Sequence, residues 1–502
     1  MSIKHKVIAS YLSSGWAALM GIAFLPLYIR YLGIESFGLI GFFSALQIWL
    51  SLLDMGLSPT LNREMARFSA HMHNAQSIRD LLRSVETVYA GVAVLLALLV
   101  AALSPWIASD WLNPQNLDGK TVVYALVIMG CIISFQWMST LYRSALLGLQ
   151  QQVGLALITA TAATLRALGA VFVLALVSPT IAAFLISQCT ISVLEAGALA
   201  WYLRHHLPQS PRPPKFSLDA LRSVWRFAAG LTTVALLATL LTQVDKILLA
   251  KLLPLDQYGY FALAVTVAGA MSLLIAPIHN VAYPRLTELA SCKDEATLAQ
   301  EYHQFAELLS IAVLPATLIL CGFSREILVL WTQNAIIAES VAPIVSVWVI
   351  GTALNGLMHL PYAAQLAHGW TRLSVVANAI GVMLMIPAIM LLVPRYGGLG
   401  AAWIWVAITA GNLIIGVWVM HTRILKKQRL RWCAHDIGAP LIGGILSLLV
   451  IITVHRCMGN VSPLLDAIFL CAAGGLVTLS TALSTGLGRR LVFKFRGSIF
   501  PG

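Results

Sequence analysis

Long apolar stretches dominate the chain, and short polar segments separate them. A helix needs about 20 predominantly apolar residues to cross the hydrocarbon core of a bilayer. The pattern predicts an all-α integral membrane protein with about 14 transmembrane helices. The predicted spans are 8–30, 38–61, 84–108, 121–146, 153–177, 180–203, 227–250, 258–283, 305–322, 341–366, 372–393, 397–421, 437–455 and 463–487.

Composition and charge agree with a membrane location. Of the 502 residues, 59% are hydrophobic and 10% are charged, whereas soluble domains contain about 25% charged residues. The net charge of +12 needs no nucleic-acid partner, because lysine and arginine concentrate in alternate loops. This bias follows the positive-inside rule and predicts that both termini are cytoplasmic. With that orientation, the opposite side holds only Arg30, Lys120, Lys251, Arg325, Arg395 and Arg456.

Motifs for enzymatic chemistry are weak. The seven cysteines show no short spacing, so neither a disulfide framework nor a zinc site is indicated. The GKT at 119–121 resembles the end of a phosphate-binding P-loop, but Pro114 occupies the place of its first glycine. The predicted external loops are too short for a catalytic module. The sequence therefore predicts a protein that is not an enzyme and needs no cofactor.

The chain contains an internal duplication. The segment IRYLGIESFG at 29–38 aligns with AKLLPLDQYG at 250–259, and IAAFL at 181–185 aligns with GAAWI at 400–404. Because six helices are an even number, both copies have the same topology, and the pseudo-twofold axis lies along the membrane normal. We predict two six-helix lobes, 1–206 and 221–424, joined by a proline-rich cytoplasmic linker at 207–220. Helices 13 and 14, with a basic cytoplasmic tail, occupy 425–502.

An arginine lies near the middle of the fifth predicted span. A charge at the bilayer centre costs about 2.5–3.5 kcal/mol on insertion scales, so such residues usually face a bundle interior or a wet cavity. Small side chains share the helical face of Arg166, which leaves room for a ligand or for a closely packed helix. Two interpretations stay open: Arg166 lines a substrate cavity, or it forms an ion pair with Glu195 or Asp54. The neighbours on its face are Thr159, Ala162, Ala163, Gly169 and Ala170.

Other polar residues also fall inside predicted spans. Gln47, Ser51, Asp54 and Ser58 follow helical spacing along the second span, and Thr232, Thr239, Gln243 and Lys246 do so along the seventh, beside Asp245. Arg143, Arg30 and Lys251 lie near helix ends, where long side chains can reach the interface. His279 and His359 are interpreted as packing residues. The candidate substrate-binding residues are Arg166, Arg143, Arg30, Lys246, Asp54 and Asp245.

The run YLGIESFGLIGFFSALQIWLSLLDMGLSPTLNREMARFSA at 31–70 resembles the N-terminal signature of the bacterial polysaccharide transporter family, the Wzx-type flippases. The matching elements are YLG at 31–33, FGL at 37–39, Asp54 with Gly56-Leu57, and Arg63-Glu64. The family shares a superfamily with multidrug and toxin extrusion transporters and lipid II flippases. The helix count and the duplication extend the resemblance across most of the chain.

The resemblance implies a function. It implies two lobes around a cationic cavity that opens alternately to each side of the bacterial inner membrane. It also implies a substrate, an oligosaccharide repeat unit linked through pyrophosphate to undecaprenol, which moves to the periplasmic leaflet for O-antigen or exopolysaccharide synthesis. Polymerase and chain-length proteins of the same pathway are the implied partners. Arginine binds phosphate oxygens through bidentate hydrogen bonds, so we expect Arg166 to hold the pyrophosphate, with Arg143 and Arg30 on its path.

Two alternatives and the energy source stay open. A multidrug cation extruder would need a cavity dominated by acids, whereas the candidates here are mixed in sign. A membrane polymerase or ligase would need a large external loop, and none is predicted. Transport coupled to a Na⁺ or H⁺ gradient would use Asp54 or Asp245, because a carboxylate inside the membrane can change its protonation.

Overall fold

A computed structural model describes residues 3–54, 56–69, 75–207, 210, 212–218, 222, 236, 239–458 and 462–490. Helices dominate these residues, and no β-strand forms among them. Residues 239–252 are also helical. The principal helices are α1 (Ile3–Ala23), α2 (Leu25–Ser51), α3 (Leu57–Ser69), α4 (Ala75–Trp106), α5 (Gly119–Gly148), α6 (Gln152–Leu176), α7 (Ile181–His206), α8 (Leu255–Gly269), α9 (Ser272–Ser291), α10 (Glu295–Gly322), α11 (Ser324–Thr332), α12 (Ala335–Ala367), α13 (Arg372–Arg423), α14 (Ala439–Met458) and α15 (Pro463–Leu483).

The prediction of an all-α membrane protein is confirmed. Among the described residues, ten helices are long and apolar enough to cross a membrane, or up to eleven if the bent pair α8 and α9 forms one span. Two long helices contain a break: Gly33 in α2 has a φ of 78°, and Gly397 in α13 has a φ of 58°. Both are in the left-handed region that glycine tolerates; Gly33 falls between two predicted spans, and Gly397 is the first residue of the predicted span 397–421. The count of fourteen stays a prediction.

The second predicted span is wrong as one continuous helix over 38–61. Helix α2 ends at Ser51, a 3₁₀ turn covers Leu52–Asp54, and Gly56 has a φ of 78° before α3 begins at Leu57. The Asp54 side chain accepts hydrogen bonds from the Ser58 backbone and hydroxyl. The spacing of the polar residues in this span fits a continuous helix, but it also fits an aspartate that caps the next helix. The structure shows the second arrangement at Asp54.

Contacts divide the chain into two units, Met1–Gly259 and Tyr260–Gly502. In the first unit, α3 packs against the end of α5, and α5 also packs against α4 and α7. A core cluster that includes Leu61, Met65, Tyr89 and Trp137 fills the space between these helices. The lobe boundaries inferred from the sequence stay a prediction.

The duplicated segments meet in the first unit. A Cβ atom on Gly38 would clash with the Leu255 carbonyl oxygen, and a Cβ atom on Gly259 would clash with the Ile34 carbonyl oxygen. Residues 34 and 38 align with 255 and 259 in the duplication, so the two contacts are reciprocal. Each glycine allows the other backbone to approach, and the reciprocity agrees with a local pseudo-twofold axis.

In the second unit, α12 packs against α9, α10, α11 and α13. Helices α14 and α15 pack against each other and against α10, around a core that includes Leu318, Leu448 and Val477. A π-helical segment, Trp432–Gly438, precedes α14. It places Asp436, which is fully buried, against His303 of α10.

Candidate functional site

A charged cluster inside the membrane-spanning part of the first unit is centred on Glu195. The two carboxylate oxygens of Glu195 bind different guanidinium groups, those of Arg143 and Arg166. Arg166 Nη2 lies 2.8 Å from Glu195 Oε2, and Arg143 Nη2 donates to Glu195 Oε1. We name these three residues the Glu195 cluster. It joins one residue from each of α5, α6 and α7.

Small residues position Arg166 against α7. A Cβ atom on Gly169 would lie 3.4 Å from Ile191 Cδ1, and Ala170 is fully buried. Gln188 of α7 donates to the Arg166 backbone carbonyl oxygen at 3.1 Å. The sequence left room on this face either for a ligand or for a closely packed helix, and the structure shows the closely packed helix α7. That packing brings the guanidinium to Glu195.

The charges of the Glu195 cluster do not cancel. One carboxylate pairs with two guanidinium groups, so the three side chains carry an excess of one positive charge. The Glu195 side chain is 3% exposed, whereas those of Arg166 and Arg143 are 21% and 38% exposed. The anion is therefore buried and both cations are accessible. An arginine has five N–H donors, and one carboxylate leaves most of them available to a second anion.

Polar residues beside the cluster were missed by the sequence analysis. Gln136 lies two helical turns before Arg143 on α5, and its side chain accepts a hydrogen bond from Gln47 of α2. Thr140 lies on the same face of α5. The spacing of Gln136, Thr140 and Arg143 could have revealed this stripe, as could the spacing of Gln188 and Glu195 on α7.

Asp54 lies at the beginning of α3, where its hydrogen bonds are satisfied locally. It accepts from the Ser58 hydroxyl at 2.7 Å, from the Ser58 backbone at 3.3 Å and from the Tyr89 hydroxyl. The alternative ion pair between Asp54 and Arg166 is not observed, because the partner of Arg166 is Glu195. Asp54 thus caps a helix and binds a tyrosine in this structure.

Asp245 and Lys246 lie in the helical segment at 239–252. Asp245 is 4% exposed, and its Oδ1 atom has no hydrogen-bond partner among the described residues. The Lys246 ammonium donates to the Thr242 carbonyl oxygen and to Gln243 Oε1, each at 2.8 Å. Thr232, which was predicted on the same face, lies outside the described residues.

Arg30 and Lys251 belong neither to the Glu195 cluster nor to the hydrogen-bonded groups around Asp54 and Lys246. Arg30 is exposed, and no carboxylate of the described residues lies within ion-pair distance. The Lys251 ammonium lies 4.8 Å from the centre of the Trp111 ring. In the second unit, the rings of His279 and His359 contact each other with centres 5.5 Å apart. Among the described residues, no group of three or more His, Cys, Asp or Glu side chains could hold a metal ion.

Comparison with known sequences identifies a family. The sequence model of the polysaccharide biosynthesis protein family matches residues 3–290, more than half of the chain. A Shigella flexneri protein described as a candidate O-antigen transporter is 20% identical over 405 residues, which cover 81% of this chain and 94% of that protein.

Solved structures show the same fold. The lipid II flippase MurJ in an inward closed conformation has a TM-score of 0.70 and 15% identity, and the match covers 96% of this chain and 98% of that chain. An inward-facing multidrug resistance transporter of the MATE family, from the MOP superfamily, has a TM-score of 0.70 and 13% identity. That match covers 82% of this chain and 94% of the other.

These similarities agree with the all-helical membrane fold described above. The related proteins are transporters and flippases, and they share the fold over most of the chain. The chain belongs to the polysaccharide biosynthesis protein family and is a multi-pass membrane protein that shares the fold of these flippases and transporters.

Proposed function

We propose that the chain is a flippase that moves undecaprenyl-pyrophosphate-linked oligosaccharide repeat units across the bacterial inner membrane. It would receive them at the cytoplasmic leaflet and release them at the periplasmic leaflet by alternating access, for O-antigen or exopolysaccharide synthesis. Polymerase and chain-length proteins would then use the product. The family and the named relative support the polysaccharide class.

The observation that carries the proposal is the positive excess of the Glu195 cluster. A pyrophosphate is strongly anionic and cannot cross hydrocarbon unaided, whereas guanidinium groups bind phosphate oxygens in pairs. Arg143 lies about 8 Å from the end of α5 and Arg166 about 21 Å from the beginning of α6, at 1.5 Å per residue. The two backbone positions differ in depth along their helices, but both side chains converge on Glu195, so the arginines present their phosphate donors at one site.

A cation extruder fits this cluster less well. An organic cation would need an excess of carboxylates, but the Glu195 carboxylate is already bound by two arginines. The accessible groups of the cluster are the guanidinium groups, which would repel a cation. The MATE transporter shares the fold at 13% identity. A similarity at that level shows the fold but does not indicate the same substrate.

For energy coupling we favour Asp245 over Asp54. A carboxylate that binds Na⁺ or a proton needs an oxygen atom that is not already used, and Asp245 Oδ1 has no partner among the described residues. Both oxygens of Asp54 accept hydrogen bonds. We expect Asp245→Asn to remove any dependence of transport on an imposed ion gradient, and Asp54→Asn to retain it. The reverse outcome would assign coupling to Asp54.

The test of the proposed function is a flipping assay. Purified protein in liposomes is given undecaprenyl-pyrophosphate oligosaccharide, and the rate at which the sugar reaches the opposite leaflet is measured. We expect wild type to accelerate crossing and Arg166→Ala to lose about ten-fold or more of the rate, because hydrogen bonds to charged groups contribute about 1.5–3 kcal/mol.

A matched control removes a different arginine. Arg325 forms an exposed ion pair with Glu339 at 3.0 Å in the second unit, and exposed pairs contribute little to stability. Arg325→Ala should therefore retain the wild-type flipping rate. If wild type does not accelerate the crossing of any lipid-linked oligosaccharide, with or without an ion gradient, the proposed function is wrong.

A further inference from the structure

The first unit contains a second basic site, apart from the Glu195 cluster. A cavity of about 430 Å³ lies where α4 begins, α7 ends and the proline-rich linker passes. We name it the linker pocket. None of its residues belongs to the Glu195 cluster. It is lined by Arg79, Leu82, Arg83, Glu86, Arg204, Leu207 and Pro214.

Hydrogen bonds fix the linker against α4, so the pocket has an ordered wall. The Lys215 backbone donates to Asp80 Oδ1 at 2.7 Å, and the Ser217 backbone donates to Ser84 Oγ at 2.8 Å. The Ser210 hydroxyl donates to Gln76 Oε1 at 2.6 Å. Arg79, a lining residue, donates to the Ser210 carbonyl oxygen at 3.3 Å. The linker is thus attached to the helix at both ends of the described segment.

The linker pocket has an excess of positive charge. Three arginines and one glutamate line it, which leaves two positive charges in excess. Glu86 is 12% exposed and binds Arg204 at 2.8 Å, Arg83 at 3.6 Å and the Tyr142 hydroxyl at 2.7 Å. Arg83 and Arg204 are 54% and 63% exposed. Glu86 therefore holds both guanidinium groups in place, while most of their N–H donors remain available to an anion.

The location indicates the source of that anion. The pocket lies at the first turns of the span Ala75–Trp111 and the last turns of the span Ile181–His206, hence at the level of a membrane surface. Trp201 is 68% exposed and lies one turn before Arg204, and tryptophan is typical of the membrane interface. Basic pockets between transmembrane helices on the cytoplasmic side bind anionic lipid headgroups.

We propose that the linker pocket binds the phosphate headgroup of an anionic membrane phospholipid through Arg83 and Arg204. The bound lipid would lie beside the linker and stabilise its attachment to α4. This site is independent of the flipping proposal, because its residues are separate from the Glu195 cluster and its ligand is a component of the bilayer.

The experiment measures lipid binding to the full chain in neutral detergent by native mass spectrometry. Phosphatidylglycerol, phosphatidylcholine and undecaprenyl pyrophosphate are titrated separately. We expect wild type to bind phosphatidylglycerol more tightly than phosphatidylcholine, and Arg83→Ala and Arg204→Ala each to weaken phosphatidylglycerol binding about five-fold. Glu86→Gln should strengthen it, since the negative charge among the described lining residues is removed.

Two controls separate the pocket from net charge and from the flipping site. Arg67→Ala removes an equal charge from α3, where Arg67 pairs with Glu64 and does not line the pocket, and it should leave lipid binding unchanged. Arg166→Ala should also leave it unchanged. Equal loss in Arg67→Ala and Arg204→Ala, or no preference for phosphatidylglycerol in wild type, would overturn the proposal. Pocket variants that affect only undecaprenyl pyrophosphate binding would overturn it in favour of the polyprenyl substrate.

Discussion

The two units each bury a carboxylate, but they surround it differently. In the first unit, Glu195 binds two arginines whose side chains are 21% and 38% exposed. In the second unit, Asp436 binds His303, and both side chains are almost completely buried, at 0% and 1% exposure. The other ring nitrogen of His303 lies 3.1 Å from Gln428 Oε1. One cluster leaves its two cations partly exposed, whereas the other is closed.

If the Glu195 cluster binds substrate as proposed, exposed cations around a buried carboxylate distinguish a binding site from a structural ion pair. The closed pair is shielded from solvent, although Asp436 Oδ1 has no hydrogen-bond partner among the described residues, and it joins α10 to the π-helical segment Trp432–Gly438. An open cluster with more cations than anions retains donors. Burial of the carboxylate alone does not separate the two, because Glu195 and Asp436 are both buried.

The largest expected effect is on the closed pair. Asp436→Ala leaves His303 without its carboxylate partner in a site closed to water, and breaking a buried pair costs about 3–5 kcal/mol. Glu195→Gln should cost only about 1 kcal/mol, because its two arginines reach solvent. Thermal unfolding in detergent compares the two variants. The double variant His303→Leu with Asp436→Leu should recover part of the loss, since apolar replacement of a whole pair is often neutral.

Equal destabilisation by Asp436→Ala and Glu195→Gln would break the comparison. It would mean that the exposure of Arg143 and Arg166 does not reduce the cost of removing their partner. A further loss of stability in the double leucine variant, relative to Asp436→Ala, would also contradict a purely structural role for the pair.

A smaller effect should separate the two arginines of the open cluster. Arg166 lies deeper in its helix and is less exposed than Arg143. In the flipping assay, Arg166→Lys should lose several-fold of the rate, because lysine keeps the charge but not the bidentate geometry. Arg143→Lys should lose less, since a more solvated contact contributes less. If both lysine variants flip like wild type, charge alone is sufficient and the bidentate role is wrong.

Much of this organisation follows from the sequence, because spans and repeats are local or periodic signals. Apolar length predicted the helices, and the alignment of 29–38 with 250–259 predicted the correspondence later seen at Gly38 and Gly259. Glu195 was also named as one partner for Arg166, because both lie in the interior of neighbouring predicted spans. These predictions need only the hydropathy of the chain, the repeat in its sequence and the positions of charged residues within the apolar spans.

The sequence could not supply the pairing of side chains between helices. From its place near a helix end, Arg143 is expected either to reach the membrane interface or to lie on the substrate path, and neither expectation includes the Glu195 carboxylate that it shares with Arg166. One sequence carries no information on which faces of α5 and α7 meet. The break at 52–54 and Gly56 does not show in the sequence, because the polar spacing around Asp54 fits both a continuous helix and a helix cap. The His303–Asp436 pair joins positions far apart in the chain and has no local pattern.

The smallest expected effect concerns a third kind of carboxylate, one at the surface. Asp294 caps α10 and accepts a hydrogen bond from the Thr297 backbone at 3.1 Å. The Thr297 hydrogen bonds lower the pKa of Asp294 below its usual value. A lowered pKa stabilises the folded state above the ordinary aspartate pKa, and this contribution is lost as the pH falls through the lowered value.

Asp294→Ser keeps a capping oxygen but does not titrate. The wild type should therefore lose slightly more stability than Asp294→Ser when the pH is lowered through the acidic range. Thermal unfolding at a series of pH values measures the difference. An identical pH dependence in both proteins would show that this carboxylate contributes nothing through its charge, in contrast to the two buried ones.

The central claim is that the excess positive charge of the Glu195 cluster binds pyrophosphate. Its most direct test is the affinity of the purified protein for undecaprenyl pyrophosphate, measured for wild type, Glu195→Gln, Arg166→Ala and the double variant Arg143→Ala with Arg166→Ala. We predict that binding is tightest for Glu195→Gln, followed by wild type, Arg166→Ala and the double variant. If Glu195→Gln binds more weakly than wild type, or the double variant binds equally well, the cluster is structural and the pyrophosphate is held elsewhere.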